Sequence, residues 1–172
     1  MIQHLDPGEV HLALWVGDKR AESGSARERT SPYGHPEESA RVDRRSCIAE
    51  LGVAKAMNLY WRGLVSGRVD REECEVGGFI DVRSVNRPNR GLIVHDRDED
   101  SRVLVLAHVP IPGRGWKVSG LDVHIYGWMC AGDSKNTWYA SNAEKVLPRP
   151  EGCYLVPCSD LLPLEDLRQV KS

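Results

Sequence analysis

Hydrophobic and polar positions change their period several times along the chain, and these changes predict the order of its helices and strands. Residues 7–22 follow an aspartate, begin with a proline and continue with helical apolar spacing, which is typical of a helix start. Residues 38–62 carry the strongest helical pattern, and Gly63 is its predicted end. Residues 23–38 are rich in glycine, proline and charge, so we expect a flexible loop there.

The second half of the chain is rich in β-branched and apolar runs, which favour strands. The predicted strands are 77–85, 92–95, 102–109, 121–128 and 153–157, with an additional short strand at 116–118, and a last helix covers 161–170. A turn at 86–91 predicts that the first two strands form a hairpin. The order of elements predicts an α/β (α+β) fold, a single domain over residues 1–172 with a central mixed β-sheet flanked by helices.

Composition narrows the class of protein. A chain of 172 residues is typical of one domain and buries roughly 70% of its unfolded surface. The net charge of −2 gives no general basic field, so any contact with a polyanion must come from a local patch. Because there is no run of 18 apolar residues and no signal-peptide pattern, we expect no membrane partner and a cytoplasmic location.

The five cysteines are odd in number, and their spacing matches no zinc ribbon or finger. We expect reduced thiols, as in a cytosolic protein. A zinc site built from Cys153, Cys158 and a histidine is the less favoured alternative.

Glu50 is the first candidate site residue because it lies in the apolar stripe of helix 38–62, beside Val53, Met57 and Trp61. A carboxylate in such a stripe is costly unless another group pairs with it. A core arginine satisfies it, and so does a divalent cation shared with other carboxylates. The helix alone favours the arginine.

Asp81 and Arg83 are the second candidate pair. Because side chains alternate along a strand, the two lie on one face of strand 77–85, and Glu75 precedes that strand. An acid that holds a cation and a base that neutralises phosphate charge suit metal-assisted attack on a phosphodiester. For an isolated D-x-R sequence, however, a salt bridge is the commoner explanation.

The helix acid Glu50, the acid Glu75 before a strand and the run Asp81-Val82-Arg83 within it resemble the core of the PD-(D/E)XK nuclease superfamily, which has the restriction-endonuclease-like fold. The chain differs from the usual motif, because Glu75 stands at an aspartate position and Arg83 at a lysine position. The sequence also resembles small, uncharacterised proteins encoded by bacteriophages over residues 45–165. Segments 48–63, 75–85, 91–96, 127–135 and 154–157 carry this likeness.

This resemblance implies a metal-dependent phosphodiester hydrolase, an endonuclease that acts on DNA in the cytoplasm of a bacterial host cell. Glu50, Glu75, Asp81 and Arg83 are then the catalytic residues, and the three carboxylates are the metal ligands. Mg²⁺ is the expected cofactor, with Mn²⁺ as a substitute, since hard cations prefer oxygen ligands. DNA is favoured over RNA as the partner, and a homodimer is left open.

Five basic residues in predicted turns and loops are candidates for phosphate contacts: Arg87, Arg90, Arg114, Lys117 and Lys135. Each alone is more often a solvated surface charge. Two other functions remain open from the sequence. One is a catalytically impaired DNA- or protein-binding module that keeps the nuclease fold, which Arg83 favours because arginine cannot move protons near neutral pH. The other is a structural or host-interaction phage protein whose motif is accidental.

Overall fold

The computed structural model describes residues 1–25, 36–65, 74–110, 119–146 and 152–169. Most of the predicted loop 23–38 and all of a predicted short strand at 116–118 lie outside these ranges.

Two long helices form one layer. They are α1 (Pro7–Ser25) and α2 (Pro36–Met57), and they pack against each other. The start of α1 is capped reciprocally, because the backbone N–H of Glu9 donates to Asp6 Oδ1 at 3.0 Å and that of Asp6 donates to Glu9 Oε2 at 2.8 Å. The predicted end of α2 at residue 62 is too late. Asn58 adopts a left-handed backbone (φ 54°), and the helix stops at Met57.

The strands are β1 (Ile2–Leu5), β2 (Ile80–Val85), β3 (Leu92–His95), β4 (Val103–His108), β5 (Leu121–Cys130) and β6 (Cys153–Val156). Four of them form a sheet in the order β1-β5-β4-β2. In it β2 is parallel to β4, and the other pairs are antiparallel. The mixed sheet and α/β fold are therefore as predicted, and β4 is central. The strand β1 was not predicted from the sequence.

The predicted hairpin between 77–85 and 92–95 is wrong. Within the described chain β2 pairs with β4, whereas β3 pairs with β6 in a separate two-stranded antiparallel sheet. The turn at 86–91 carries the chain from one sheet to the other. The first strand is also shorter than predicted, because Gly77 and Gly78 belong to the turn before it.

The four-stranded sheet separates two apolar cores. On one side the helices α1 and α2 pack on residues such as Ile80, Val105 and Ile125. On the other side the small sheet packs on Leu104 and Leu106. Because Ile80 and Val82 face the helices, the alternation of β2 sends Asp81 and Arg83 towards the opposite side.

The remaining described elements are α3 (Ala131–Ser134), α4 (Thr137–Val146), a 3₁₀ turn at Cys158–Asp160 and α5 (Leu164–Gln169). Ala131 of α3 packs in the second core, whereas Leu164 and Leu167 of α5 pack in the first. The final helix begins three residues later than the predicted 161–170, directly after Pro163. Over the described ranges, no helix has the length and apolar character that crossing a membrane requires.

Candidate functional site

Glu50 is a buried carboxylate whose two oxygens both have protein partners. Its exposed fraction is only 2%. Arg20 of α1 donates from Nη1 to Oε1 at 2.8 Å and from Nη2 to Oε2 at 3.1 Å. The indole Nε1 of Trp61 adds a third bond to Oε2 at 3.0 Å. Of the two alternatives that the sequence left open for Glu50, the structure contains the salt bridge to a core arginine.

Arg20, the partner of Glu50, also has hydrogen bonds from each of its guanidinium nitrogens. Its Nε donates to the backbone carbonyl of Leu64 at 3.1 Å, so the guanidinium bridges α1, α2 and the segment after α2. Burial acts to lower the pKa of Arg20, but the bonds and charge of Glu50 outweigh it and raise that pKa above its ordinary value. Arg20 therefore keeps its charge, and both oxygens of Glu50 accept hydrogen bonds.

Glu75 is placed beside this pair by a tight turn at the entrance to β2. Its carbonyl accepts the backbone N–H of Arg62 at 3.0 Å, and the N–H of Gly77 donates to the carbonyl of Tyr60 at 2.9 Å. Gly77 and Gly78 both have a positive φ, 59° and 77°. Other residues rarely adopt this backbone, so the Gly-Gly pair fixes the approach of Glu75 to the sheet edge.

The carboxyl group of Glu75 is destabilised in its charged form. Burial raises its pKa to about 7, and the negative charges of Asp81 and Glu50 add to this effect. Glu75 is therefore close enough to the helix acid and to the strand acid for both charges to act on it. Near neutral pH it exists as a mixture of the protonated and ionised forms.

Asp81 and Arg83 form a salt bridge on their shared face of β2. Arg83 Nη2 donates to Asp81 Oδ2 at 2.8 Å and to Asp98 Oδ1 at 3.0 Å. Burial raises the pKa of Asp81 above its ordinary value, although the charge of Arg83 opposes this shift. The pKa of Arg83 is raised because Asp81 and Asp98 outweigh the effect of its burial.

Asp98 connects this strand to the small sheet. Its second oxygen accepts the backbone N–H of His95 at 2.9 Å, at the end of β3. The Nε of Arg83 is buried and has no hydrogen-bond partner among the described residues. Such a donor is costly to leave unpaired, and it marks this side of the cluster as a place where an additional acceptor would be favourable.

The charges of the three predicted metal ligands, Glu50, Glu75 and Asp81, affect one another, but the three side chains differ in their ion pairs. Glu50 is paired with Arg20 and Asp81 with Arg83. Glu75 has no ion pair among the described residues and is affected by the charges of both acids. Across the described ranges, no group of three His, Cys, Asp or Glu side chains is arranged to hold a metal ion. A three-carboxylate site would require movement of at least one of these side chains.

The five candidate phosphate contacts have different surroundings. Arg87 and Arg90 are exposed in the turn between β2 and β3. Lys135 donates its three N–H bonds to the carbonyls of Asp96 and Asp98 and to the Asp100 carboxylate, so a phosphate would have to replace one of these acceptors. Arg114 and Lys117 lie outside the described residues.

Three members of the cluster, Arg20, Asp98 and His95, were not predicted from the sequence. Arg20 lies in a predicted helix with no feature that distinguishes it from other surface arginines. Asp98 belongs to the acidic run 96–101, whose composition is typical of a solvated turn. His95 ends the predicted strand 92–95, and the alternation of that strand gives it no special role. The shortage of partners for Glu50 indicated that an arginine was needed, but nothing in the sequence identified it.

Fold and cluster together define the class: an α/β domain with buried acids and arginines at the edge of a mixed sheet. Comparison of the chain with protein-family models gives no match. Comparisons with curated proteins and with solved structures give no significant match either. The function is therefore inferred from the cluster itself.

Proposed function

We propose that this protein is a metal-dependent phosphodiester hydrolase, an endonuclease that acts on DNA, and that Glu75 and Asp81 are the residues that hold its Mg²⁺ or Mn²⁺. The observation that carries the proposal is the raised pKa of both carboxyls, to about 7 for Glu75. Two buried acids whose charged forms repel each other are stabilised by a cation between them. Glu50 is not a ligand in this arrangement, because Arg20 and Trp61 bind its oxygens, but its charge adds to the repulsion on Glu75.

The donor set fits this cofactor. Mg²⁺ takes hard oxygen ligands, keeps several waters, and is commonly held by one or two carboxylates together with substrate phosphates. Two carboxylates and an adjacent arginine meet that demand without a third protein ligand. When bound, the cation lowers the pKa of a water and polarises the phosphoryl oxygen.

The basic residues take the remaining roles. Arg83 lies beside Asp81, and its unpaired Nε is the donor that a phosphate oxygen would satisfy. Because arginine stays protonated, Arg83 stabilises charge and does not transfer protons. The exposed Arg87 and Arg90 would contact the backbone of DNA, which we favour over RNA, in the cytoplasm of a bacterial host cell. A homodimer remains a prediction.

A second candidate function is a DNA- or protein-binding module that keeps the fold without catalysis. The specific observation in its favour is that the charged groups are already paired: both oxygens of Glu50 bind Arg20, and Arg83 binds two aspartates. In this case the cluster is a structural network that joins α1, α2, β2 and the turn after β3.

Incubation of the purified protein with duplex DNA tests the proposal. We expect cleavage with Mg²⁺ or Mn²⁺ and none with excess chelator, and we expect Glu75→Gln and Asp81→Asn to abolish it. Glu165→Gln changes an exposed acid on α5 and is the matched control. Cleavage that persists in chelator would overturn the metal assignment. Binding to DNA without cleavage under any of these conditions would support the second candidate.

A further inference from the structure

A thiol and an imidazole meet on the small sheet, outside the acid cluster. His95 ends β3 and is directly opposite Cys153, the first residue of β6. Residues that are opposite each other in an antiparallel pair have side chains on the same face. The Cys153 Sγ lies 3.2 Å from the His95 Nδ1, which is within hydrogen-bond reach for sulfur. Both residues are half-buried, so small reagents reach them.

The position of His95 is fixed on two sides. The strand pairing of β3 with β6 sets the distance between the two side chains. The backbone N–H of His95 is bound by Asp98, which in turn binds Arg83. An imidazole held in this way is in place before any reagent arrives, as the base of a cysteine–histidine pair needs to be.

Burial favours the neutral form of the His95 ring. Burial lowers the pKa of His95 below its ordinary value of 6.5, and the nearby Arg83 and Arg97 add to this, while Asp98 and Asp81 oppose it. Those four groups, from β2 and from the turn after β3, are the charged neighbours of the ring. A neutral Nδ1 accepts the thiol proton of Cys153, provided that the ring proton is on Nε2.

Among the residues that the structure describes, the other four cysteines have no hydrogen bond to a histidine, and burial disfavours their thiolate forms. Burial raises the pKa of Cys74 to about 11, and it raises those of Cys47, Cys130 and Cys158 as well. Cys158 is half-buried like Cys153, but its thiol donates to the backbone carbonyl of Arg90 at 3.1 Å. Cys158 is therefore an internal control, because its thiol is about as accessible as that of Cys153 but has no base among the described residues to remove its proton.

We propose that Cys153 is the reactive thiol of this protein, with His95 as its general base, and that the pair is a modification site for soft carbon electrophiles such as alkylating agents. With iodoacetamide, the Cys153 S–H bond breaks and its proton passes to His95 Nδ1. The sulfur forms a bond to the methylene carbon, and the carbon–iodine bond breaks with release of iodide. No change of oxidation state by an outside reagent is required.

Alkylation of the folded wild-type protein, followed by peptide mapping over time, measures this directly. We expect Cys153 to react at least about tenfold faster than Cys158 near neutral pH, a modest part of the gain that a positioned base supplies. Equal rates at Cys153 and Cys158 would overturn the proposal. This comparison is made within one molecule and needs no variant.

His95→Asn tests the role of the base, because asparagine keeps a polar atom near the Nδ1 position but cannot accept a proton near neutral pH. We expect the Cys153 rate to fall about tenfold, to that of Cys158, with the Cys158 rate unchanged. The wild-type Cys153 rate should show an inflection below pH 6.5 that the variant lacks. An unchanged rate and pH profile in the variant would show that His95 only packs against the thiol.

Discussion

Glu50 and Glu75 are neighbouring acids with opposite surroundings. Glu50 is the more deeply buried, yet Arg20 and Trp61 give its oxygens three hydrogen bonds. Glu75 has no ion pair among the described residues, and the negative charges of Asp81 and Glu50 face it. Burial alone therefore does not identify a functional acid.

What separates the two is whether the protein supplies the compensating charge. A carboxylate that already has its arginine contributes to holding the fold, and removing it leaves a buried cation without a partner. A carboxylate that the fold leaves in a field of like charge is destabilised until it binds a proton or a cation. By this criterion Glu50 has a structural role and Glu75 is the acid best suited to the proposed ligand binding. Asp81 is intermediate, because Arg83 pairs with it while burial still raises its pKa.

The largest expected effect is on the paired acid. Glu50→Gln should lower the free energy of unfolding by about 3–5 kcal/mol, because the buried Arg20 loses its counter-charge. Urea denaturation without added metal measures this. Lys55→Gln, which breaks the more exposed ion pair between Glu9 and Lys55, should cost at most about 1 kcal/mol. A decrease in the free energy of unfolding of less than about 1 kcal/mol for Glu50→Gln would contradict the structural role of Glu50.

The unpaired acid should make stability fall as the pH rises. The folded pKa of Glu75 is about 7 against an ordinary value of 4.5, so the folded state holds an extra proton between these values. The contribution is favourable below pH 4.5, is lost as the pH rises to about 7, and amounts to at most about 3 kcal/mol.

Denaturation of the wild type and of Glu75→Gln across this range measures that contribution as a difference. We expect Glu75→Gln to be the more stable protein at pH 8 and to lose most of its advantage near pH 4.5. Glu165→Gln should follow the wild-type curve. Parallel curves for Glu75→Gln and the wild type would contradict the raised pKa.

The electrostatic interaction between Glu75 and Asp81 should be measurable as a change in the pKa of Glu75 when Asp81 is replaced. Asp81→Asn removes a negative charge next to Glu75, so the pKa of Glu75 should fall from about 7 towards its ordinary value. Carboxyl ¹³C NMR measures it. Asp98→Asn is the matched control, since it also removes a partner of Arg83 but should leave the Glu75 titration nearly unchanged. The same pKa in the wild type and in Asp81→Asn would mean that the two acids do not interact.

The smallest expected effect concerns DNA binding. Replacing Arg87 and Arg90 by alanine should reduce the slope of log affinity against log salt by about 2, close to 0.9 for each lost phosphate contact. Replacing Lys19 and Lys55 on the helical side removes the same charge and should leave the slope nearly unchanged. Equal slopes for the two double variants would show that the turn at 86–91 does not contact DNA.

Local pattern predicted the elements of the fold better than their pairing. The run at 102–109 is apolar and β-branched, and it is β4 in the middle of the sheet. The hairpin was wrong because β2 and β3 pair with strands that come later in the chain, and no local signal specifies such partners. The helix α2 ended early at a left-handed Asn58, which helical spacing through Trp61 concealed.

For the candidate site, too, the sequence predicted local features but not the partners that distant parts of the chain supply. Alternation correctly placed Asp81 and Arg83 on one face of β2, and the apolar stripe showed that Glu50 needed a partner. The identity of that partner, Arg20, depends on how α1 packs against α2, which the sequence does not encode locally. The contact of Asp98 with Arg83 likewise arises only when the turn after β3 folds back on β2.

Titration calorimetry of Mn²⁺ against the wild-type protein, Glu75→Gln and Asp81→Asn at pH 7 tests the central assignment most directly. We expect one binding site in the wild type, with release of a fraction of a proton when measured in buffers of different ionisation heat, because Glu75 is partly protonated at that pH. Both variants should lose the site, and Glu165→Gln should retain it. Absence of binding in the wild type, or binding that both substitutions leave unchanged, would contradict the account.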